Sequence, residues 1–253
     1  MELKLLFDKP KTMSDNKTHY CPGCGHGVLH RLIAEVIDEL NIRDRVVGIA
    51  PVGCAVTAYD YWNIDMSEAA HGRVGAVATG IKRARPDLIV FGYQGDGDLA
   101  AIGLAETLHA ANRGENITII FVNNATYGMT GGQTAPTTLP NQVTRTSPNG
   151  REPSKEGYPM KISEMIALFE APVYVERTMV TSFETINKTK QAIKRAFQLQ
   201  LENKGYSFVE VLSACPNELH LTPVEANKWI ENEMTKYYPL GVFKDKYGLV
   251  KKI

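Results

Sequence analysis

The sequence predicts an α/β protein with a doubly wound, mostly parallel sheet, and three observations carry that expectation. Short apolar runs rich in β-branched residues alternate with longer stretches of helical period. Those runs lack in-and-out polar alternation, as strands covered on both faces should. Turns of Gly, Asp and Asn directly follow two of them, at the strand ends where open parallel sheets bind ligands.

The elements follow in order. Leu29, Leu32, Ile33, Val36, Ile37 and Leu40 recur at i, i+3, i+4, with Glu35, Asp38 and Glu39 opposite, which predicts a first helix just after Cys24. Arg45 to Ala50 reads as a strand, Ala69 to Arg83 as a helix, Asp87 to Tyr93 as a strand, and Leu99 to Asn112 as a helix. Asn116 to Asn123 is the third strand. Thr130 to Pro159 is rich in Thr, Pro, Gly and Asn, has no sustained period and is longer than most loops, so it is either functional or mobile. A helix over Ile162 to Phe169, a strand over Pro172 to Arg177, a helix over Ser182 to Glu202, a strand over Phe208 to Leu212 and a helix over Pro223 to Lys236 complete the pattern. No internal repeat or shift in composition divides residues 1–253, which read as a single domain.

Composition narrows the function classes. The 28 basic and 28 acidic residues leave no broad basic footprint for nucleic acid. No apolar run is long enough to span a bilayer. Met1 to Phe7 is charged and followed by Asp8, Lys9 and Pro10, unlike a signal peptide, so a cytoplasmic location with reduced thiols is expected.

The chain has four cysteines: Cys21 and Cys24 in a C-x-x-C, and Cys54 and Cys215 alone downstream. A chain of 253 residues builds its own core and has little need of a disulfide framework. A C-x-x-C is either a redox dithiol or half of a metal site, and zinc usually shows a second close pair, whereas an iron-sulfur cluster tolerates scattered ligands. Cluster, zinc and unrelated buried thiols all stay open on the cysteines alone.

The two turns carry the next step. Gln94-Gly95-Asp96-Gly97-Asp98 follows one strand, and Asn123-Asn124-Ala125-Thr126-Tyr127-Gly128-Met129 follows the next. Gly95 and Gly97 would let the backbone approach an anion, and a helix starting near Leu99 would aim its amino end at it. Asp96 and Asn124 would offer hard oxygen ligands suited to Mg²⁺ bridging phosphate oxygens. Either turn alone reads equally well as an ordinary capped turn.

Together, Gly-Asp-Gly and the Asn123-Asn124 pair resemble the magnesium and diphosphate signature of thiamine-diphosphate enzymes. The run Cys21-Pro-Gly-Cys-Gly-His-Gly27, Pro51-Val-Gly-Cys54, His71-Gly-Arg73, Gly95-Asp-Gly-Asp98, Tyr127-Gly-Met-Thr-Gly-Gly-Gln133 and Cys215-Pro216 are similar to the β subunit of 2-oxoacid:ferredoxin oxidoreductases. The resemblance covers the chain from about Tyr20 to beyond Cys215. It implies the thiamine-diphosphate-binding fold and a [4Fe-4S] cluster on Cys21, Cys24, Cys54 and Cys215. It also implies Mg²⁺ on Asp96, Asn124 and the Thr126 carbonyl. Gly95, Gly97, Asp98, Gly128 and Met129 would surround the diphosphate, and Val52, Gly53, Cys54, Ala55 and His71 would line the cofactor. His71 has a second reading, as a buried structural histidine.

The activity implied is oxidative decarboxylation of a 2-oxoacid to an acyl-CoA and CO₂, with electrons passed to ferredoxin. The glutamate that activates the cofactor would come from an α subunit, with γ and ferredoxin-like δ subunits as further partners; Glu68, Glu106 and Glu164 read as solvated helical residues. Cys54 to Trp62 is apolar and aromatic, with no Lys or Arg before Arg73 to meet a second carboxylate, which favours a branched-chain oxoacid such as 2-oxoisovalerate over 2-oxoglutarate, with pyruvate as a further alternative. Its aromatics could equally be core. A non-redox thiamine-diphosphate lyase would have no use for the cysteines, and a zinc-stapled nucleotide-binding protein would leave the Asp96 to Asn124 spacing to chance.

Overall fold

The structure, a computed structural model, describes residues 8–248. The reading of Met1 to Phe7 therefore lies outside the described residues. Seven strands form one sheet: β1 (Val46–Ala50), β2 (Asp65–Glu68), β3 (Ile89–Gly95), β4 (Thr118–Asn123), β5 (Tyr174–Met179), β6 (Ser207–Leu212) and β7 (Gly241–Asp245). Their order is β2-β1-β3-β4-β6-β5-β7, parallel throughout except for β7, which runs antiparallel to β5. The four central strands are buried along their length, with only Gly95 at the end of β3 partly open, which is why they read as continuous apolar runs.

Helices cover both faces. On one side, α1 (Gly25–Glu39) and α6 (Phe183–Leu201) enclose a core that includes Ile33, Ile37, Phe91, Ile120, Phe197 and Val209. On the other, α2 (Val74–Ala84), α3 (Leu104–Arg113) and α5 (Ile162–Leu168) pack over Ile49, Val90, Ile119, Phe121 and Phe208. Short turns α4 (Pro153–Glu156), α7 (Pro216–Leu219) and α9 (Thr235–Tyr237), with α8 (Pro223–Trp229), complete the helices.

Three departures from the sequence reading have local causes. The helix expected from Leu99 opens at Gly97 as a wide π-type turn to Ile102 and breaks at Gly103 before α3 starts; such turns recur at functional sites. Strand β2 has no counterpart among the expected strands, because Asp-Met-Ser-Glu is short and polar, as an edge strand often is. The helix over Pro223 to Lys236 is interrupted by a π-type stretch at Ile230–Met234.

The long segment after Tyr127 is irregular in backbone yet tightly organised. Arg151, 4% exposed, donates to the carbonyls of Ala135 (3.1 Å), Pro136 (3.2 Å) and Thr138 (2.6 Å) through Nη1, and to Gly157 through Nε (3.0 Å). One buried guanidinium thus satisfies backbone groups that a regular element would have paired with each other.

Candidate active site

The carboxyl ends of β1, β3 and β4, neighbours in the sheet, converge on a cavity of about 130 Å³. From β1 come Pro51, Val52, Gly53, Cys54 and Ala55, from β3 Gly95 to Asp98, and from β4 Asn124, Thr126, Tyr127, Gly128 and Met129. His71 closes one side and His26, from the first turn of α1, another.

The two aspartates have different jobs. Asp98 is fully engaged by protein donors: Oδ1 accepts from His71 Nδ1 (2.7 Å) and the backbone N–H groups of Gly72 (2.8 Å) and Val52 (3.2 Å), and Oδ2 accepts from Gln94 Nε2 (2.7 Å). It lines the cavity but acts as a tether, locking the β1 turn and the His71 loop to β3. Asp96 Oδ1 accepts from the Gly97 N–H (3.0 Å), and its Oδ2 from the Thr126 N–H (3.1 Å) and the Thr137 hydroxyl (2.6 Å). Burial pushes its carboxyl up to about 6 against the pull of those hydrogen bonds. Among the described residues it forms no ion pair. A buried carboxylate without a cation, beside the Asn124 amide, has the donor chemistry for a divalent metal.

The β4 turn is held in a demanding conformation. Ala125 has φ +60°, its N–H bonds Asn123 Oδ1 (3.1 Å), and its carbonyl accepts from Thr138 Oγ1 (2.7 Å) and Gln142 Nε2 (3.1 Å). A left-handed alanine persists only where its surroundings hold it there. The irregular segment therefore braces this turn, a role for Thr137, Thr138 and Gln142 that no local pattern announces.

Of the two glycines expected to face an anion, Gly95 looks onto open space, but a methyl on Gly97 would fall 2.0 Å from Tyr127 Cε1. Gly97 lines the cavity and also makes room for the Tyr127 ring.

All four cysteines are free thiols. Cys21 and Cys24 share a tight turn before α1, closed by the Cys24 N–H on the Cys21 carbonyl (3.0 Å). Cys54 follows β1, and Cys215 follows β6, the strand beside β4. A Cβ on Gly128 would stand 3.3 Å from Cys54 Sγ, 3.5 Å from Cys215 Sγ and 3.9 Å from Asn124 Nδ2. Burial pushes Cys54 and Cys215 up to about 12; Cys24 and Cys21 add to the rise at Cys54, and Cys24 and Cys54 to that at Cys215. The four thiols thus share one neighbourhood. Among the described residues no group of three or more His, Cys, Asp or Glu side chains has the spacing to hold a metal ion as it stands.

His26 was quoted in a motif but given no role by the sequence. It is 3% exposed, burial pushes it down to about 4, its Nδ1 lies 2.6 Å from the Tyr93 hydroxyl, and its ring stacks on Tyr20 at 4.9 Å. Of the aromatics after Cys54, Tyr61 and Trp62 belong to the core, with Trp62 stacked on His30 at 4.0 Å, whereas Tyr59 is exposed; none of the three lines the cavity. No Lys, Arg or Glu lines it among the described residues. Glu164 is not the solvated residue expected. It pairs with Arg177, whose side chain is fully buried and also meets Glu210 at 2.9 Å. Glu106 pairs with Arg73, and Glu68 lies on β2 and not on a helix.

Residues 52–211, which include the Gly-Asp-Gly-Asp and Asn-Asn turns at this switch-point cavity, match the family model of the thiamine pyrophosphate enzyme C-terminal TPP binding domain. The chain is 50% identical over 241 residues to the ketoisovalerate oxidoreductase subunit VorA of Methanothermobacter thermautotrophicus, covering 95% of this chain and 50% of that protein. It is 35% identical to the 2-oxoglutarate synthase subunit KorB of Methanocaldococcus jannaschii, covering 78% and 69%. A structure of 2-oxoglutarate:ferredoxin oxidoreductase from Magnetococcus marinus superposes with a TM-score of 0.76 at 27% identity, covering 97% of this chain and 87% of that one. The chain belongs to the 2-oxoacid:ferredoxin oxidoreductase family, as a thiamine-diphosphate-binding β-type subunit. It spans about half the length of the ketoisovalerate oxidoreductase subunits it matches.

Proposed function

We propose that the chain is the diphosphate-binding half of a 2-oxoacid:ferredoxin oxidoreductase, its described residues 8–248 forming one domain. The observation that carries this is the packing of Gly128 against Cys54 and Cys215, which joins the diphosphate turn to the cysteines. When bound, thiamine diphosphate supplies an electron sink for decarboxylation and a [4Fe-4S] cluster accepts electrons singly.

This chain's residues would do the following. Asp96, Asn124 and the Thr126 carbonyl hold Mg²⁺; the unpaired burial of Asp96 supports this. Gly95, Gly97, Gly128 and Met129 border the diphosphate, and Val52, Gly53, Ala55 and His71 border the rest of the cofactor. Asp98 positions Val52 and His71. Cys21, Cys24, Cys54 and Cys215 hold the cluster. The shared neighbourhood of the four thiols, with Cys54 and Cys215 both beside Gly128, supports this, because a [4Fe-4S] cluster is held by four cysteine thiolates.

The cavity of about 130 Å³ is well below the roughly 300 Å³ at which small-molecule sites begin, and no glutamate lines it. Both facts support completion by an α subunit that brings the activating glutamate, within an assembly including γ and ferredoxin-like δ subunits. Ferredoxin and coenzyme A are the remaining reactants, in a cytoplasmic setting that keeps the thiols reduced; no helix among the described residues is long and apolar enough to cross a membrane.

The substrate we favour is 2-oxoisovalerate. Identity is 50% to the ketoisovalerate subunit against 35% to the 2-oxoglutarate subunit, and the cavity has no fixed cation for a second carboxylate. The test is oxoacid-dependent viologen reduction by the reconstituted complex and by the chain alone. Turnover highest with 2-oxoisovalerate and confined to the complex supports the reading; preference for 2-oxoglutarate or pyruvate overturns the substrate, and robust turnover by the chain alone overturns the half-site.

A further inference from the structure

We propose that His26 is a fixed N–H donor whose Nε2 binds an oxygen of the 2-oxoacid in the cavity. The inference rests on the proposed cofactor site and adds to it a substrate-contacting residue.

The geometry comes from one hydrogen bond. Tyr93 is fully buried, and its hydroxyl has one protein partner, His26 Nδ1, at 2.6 Å. A buried hydroxyl proton left without an acceptor is costly, so the Tyr93 O–H donates to Nδ1. Nδ1 then uses its lone pair as acceptor, and the ring proton sits on Nε2. Nε2 has no protein partner among the described residues, and His26 lines the cavity. The ring cannot readily turn away, because Tyr20 stacks on it at 4.9 Å and Tyr93 packs beside it at 5.6 Å. The result is a neutral donor held in one orientation.

His71 has the opposite arrangement. Its Nδ1 faces the carboxylate of Asp98 at 2.7 Å. A carboxylate only accepts, so the His71 Nδ1 proton is committed to Asp98. The two imidazoles of the cavity therefore differ: His71 Nδ1 is tied to a carboxylate, whereas His26 Nδ1 accepts from a hydroxyl. Asp96, Asn124 and Cys54 line the same cavity, and His26 lies two residues from Cys24. With no Lys or Arg among the lining residues, His26 Nε2 is a side-chain donor free for an incoming keto or carboxylate oxygen.

Two measurements test this. Nitrogen-15 NMR of histidine-labelled full chain should show His26 with Nε2 protonated and Nδ1 bare, and Tyr93→Phe should remove the signature of the hydrogen-bonded Nδ1; a proton on Nδ1 in the wild type overturns the proposal whatever the cofactor does. In the reconstituted complex, His26→Ala should raise the KM for 2-oxoisovalerate by about 10- to 100-fold. His26→Gln, which keeps an N–H donor, should recover part of that loss, with thiamine diphosphate affinity and iron content unchanged in both. An unchanged KM in both variants, with cofactor bound, overturns the donor role and leaves the cofactor site standing. A wild-type complex that binds no thiamine diphosphate overturns the site itself.

Discussion

Gly128 packs so closely on Cys54 that a methyl group on its α-carbon would stand 3.3 Å from Sγ. The turn after β4 and the turn after β1 are therefore one packed unit, and a change in one is felt in the other. Gly128→Ala should cost about 1–3 kcal/mol of stability through overpacking, and should lower both iron retention and thiamine diphosphate affinity in the anaerobic protein. Iron analysis and calorimetric titration on the same sample check this; loss of neither would mean the two turns are independent.

Cys21 makes the opposite prediction. It is exposed, lies in the C-x-x-C turn and does not line the cavity. Cys21→Ser should lower iron content and electron transfer while Mg²⁺-dependent thiamine diphosphate binding stays within about twofold of wild type. Equal loss of both, measured in parallel, would contradict the assignment of separate ligand sets.

Asp98 is a tether, so replacing it should be read first in stability. Asp98→Asn keeps the size but places an amide N–H among four donors, from Val52, Gly72, His71 and Gln94. A loss of about 2–4 kcal/mol is expected, since each unmatched buried group costs about 1–3 kcal/mol. Urea denaturation measures it, and a change under about 0.5 kcal/mol would place Asp98 among ordinary surface substitutions.

Arg177 tests the far end of the same sheet. Its buried guanidinium meets Glu164 and Glu210 and lies over the rings of Tyr238 (5.2 Å) and Phe243 (4.9 Å), while Glu210 Oε1 accepts from Asn123 Nδ2 (2.8 Å). Arg177→Met leaves two carboxylates uncompensated and should destabilise by about 3–5 kcal/mol. Adding Glu210→Gln should restore part of that loss, and an additive double variant would rule out the coupling.

His30 sets a pH dependence. It is fully buried between Trp62, Tyr20 and Tyr93, close enough to His26 and His19 to feel their charge, and burial holds it well below its ordinary value of 6.5. Below about pH 6.5 the unfolded chain takes up a proton at His30 that the folded chain refuses, so stability falls as pH drops and is flat above. The contribution is about 1.4 kcal/mol per pH unit. His30→Gln should reduce the slope between pH 5 and 6.5 by that amount, which cancels other titrating groups; an unchanged slope would mean His30 is charged in the fold.

Much of the fold was legible because the strands of a parallel sheet covered on both faces are mostly apolar, as Val46–Ala50, Thr118–Asn123 and Ser207–Leu212 are. The edge strands were not: Asp65–Glu68 is polar, and Gly241–Asp245 is partly exposed. The turns at Gly95 and Asn123 announced themselves through residue type. Asp98 was expected beside the diphosphate; its role as a tether was hidden, because its four donors come from residues 52, 71, 72 and 94, which only the folded sheet assembles. Thr137 and His26 were hidden for the same reason. One brings a hydroxyl to Asp96 across 41 residues, and the other meets Tyr93 across 67.

The most direct test of the central claim is metal analysis of the chain purified without oxygen. A brown protein carrying about four irons with acid-labile sulfide per chain, which binds thiamine diphosphate only when Mg²⁺ is present, is the predicted result. A colourless chain that carries zinc or no metal would contradict the assignment of Cys21, Cys24, Cys54 and Cys215 to an electron-accepting cluster beside the cofactor.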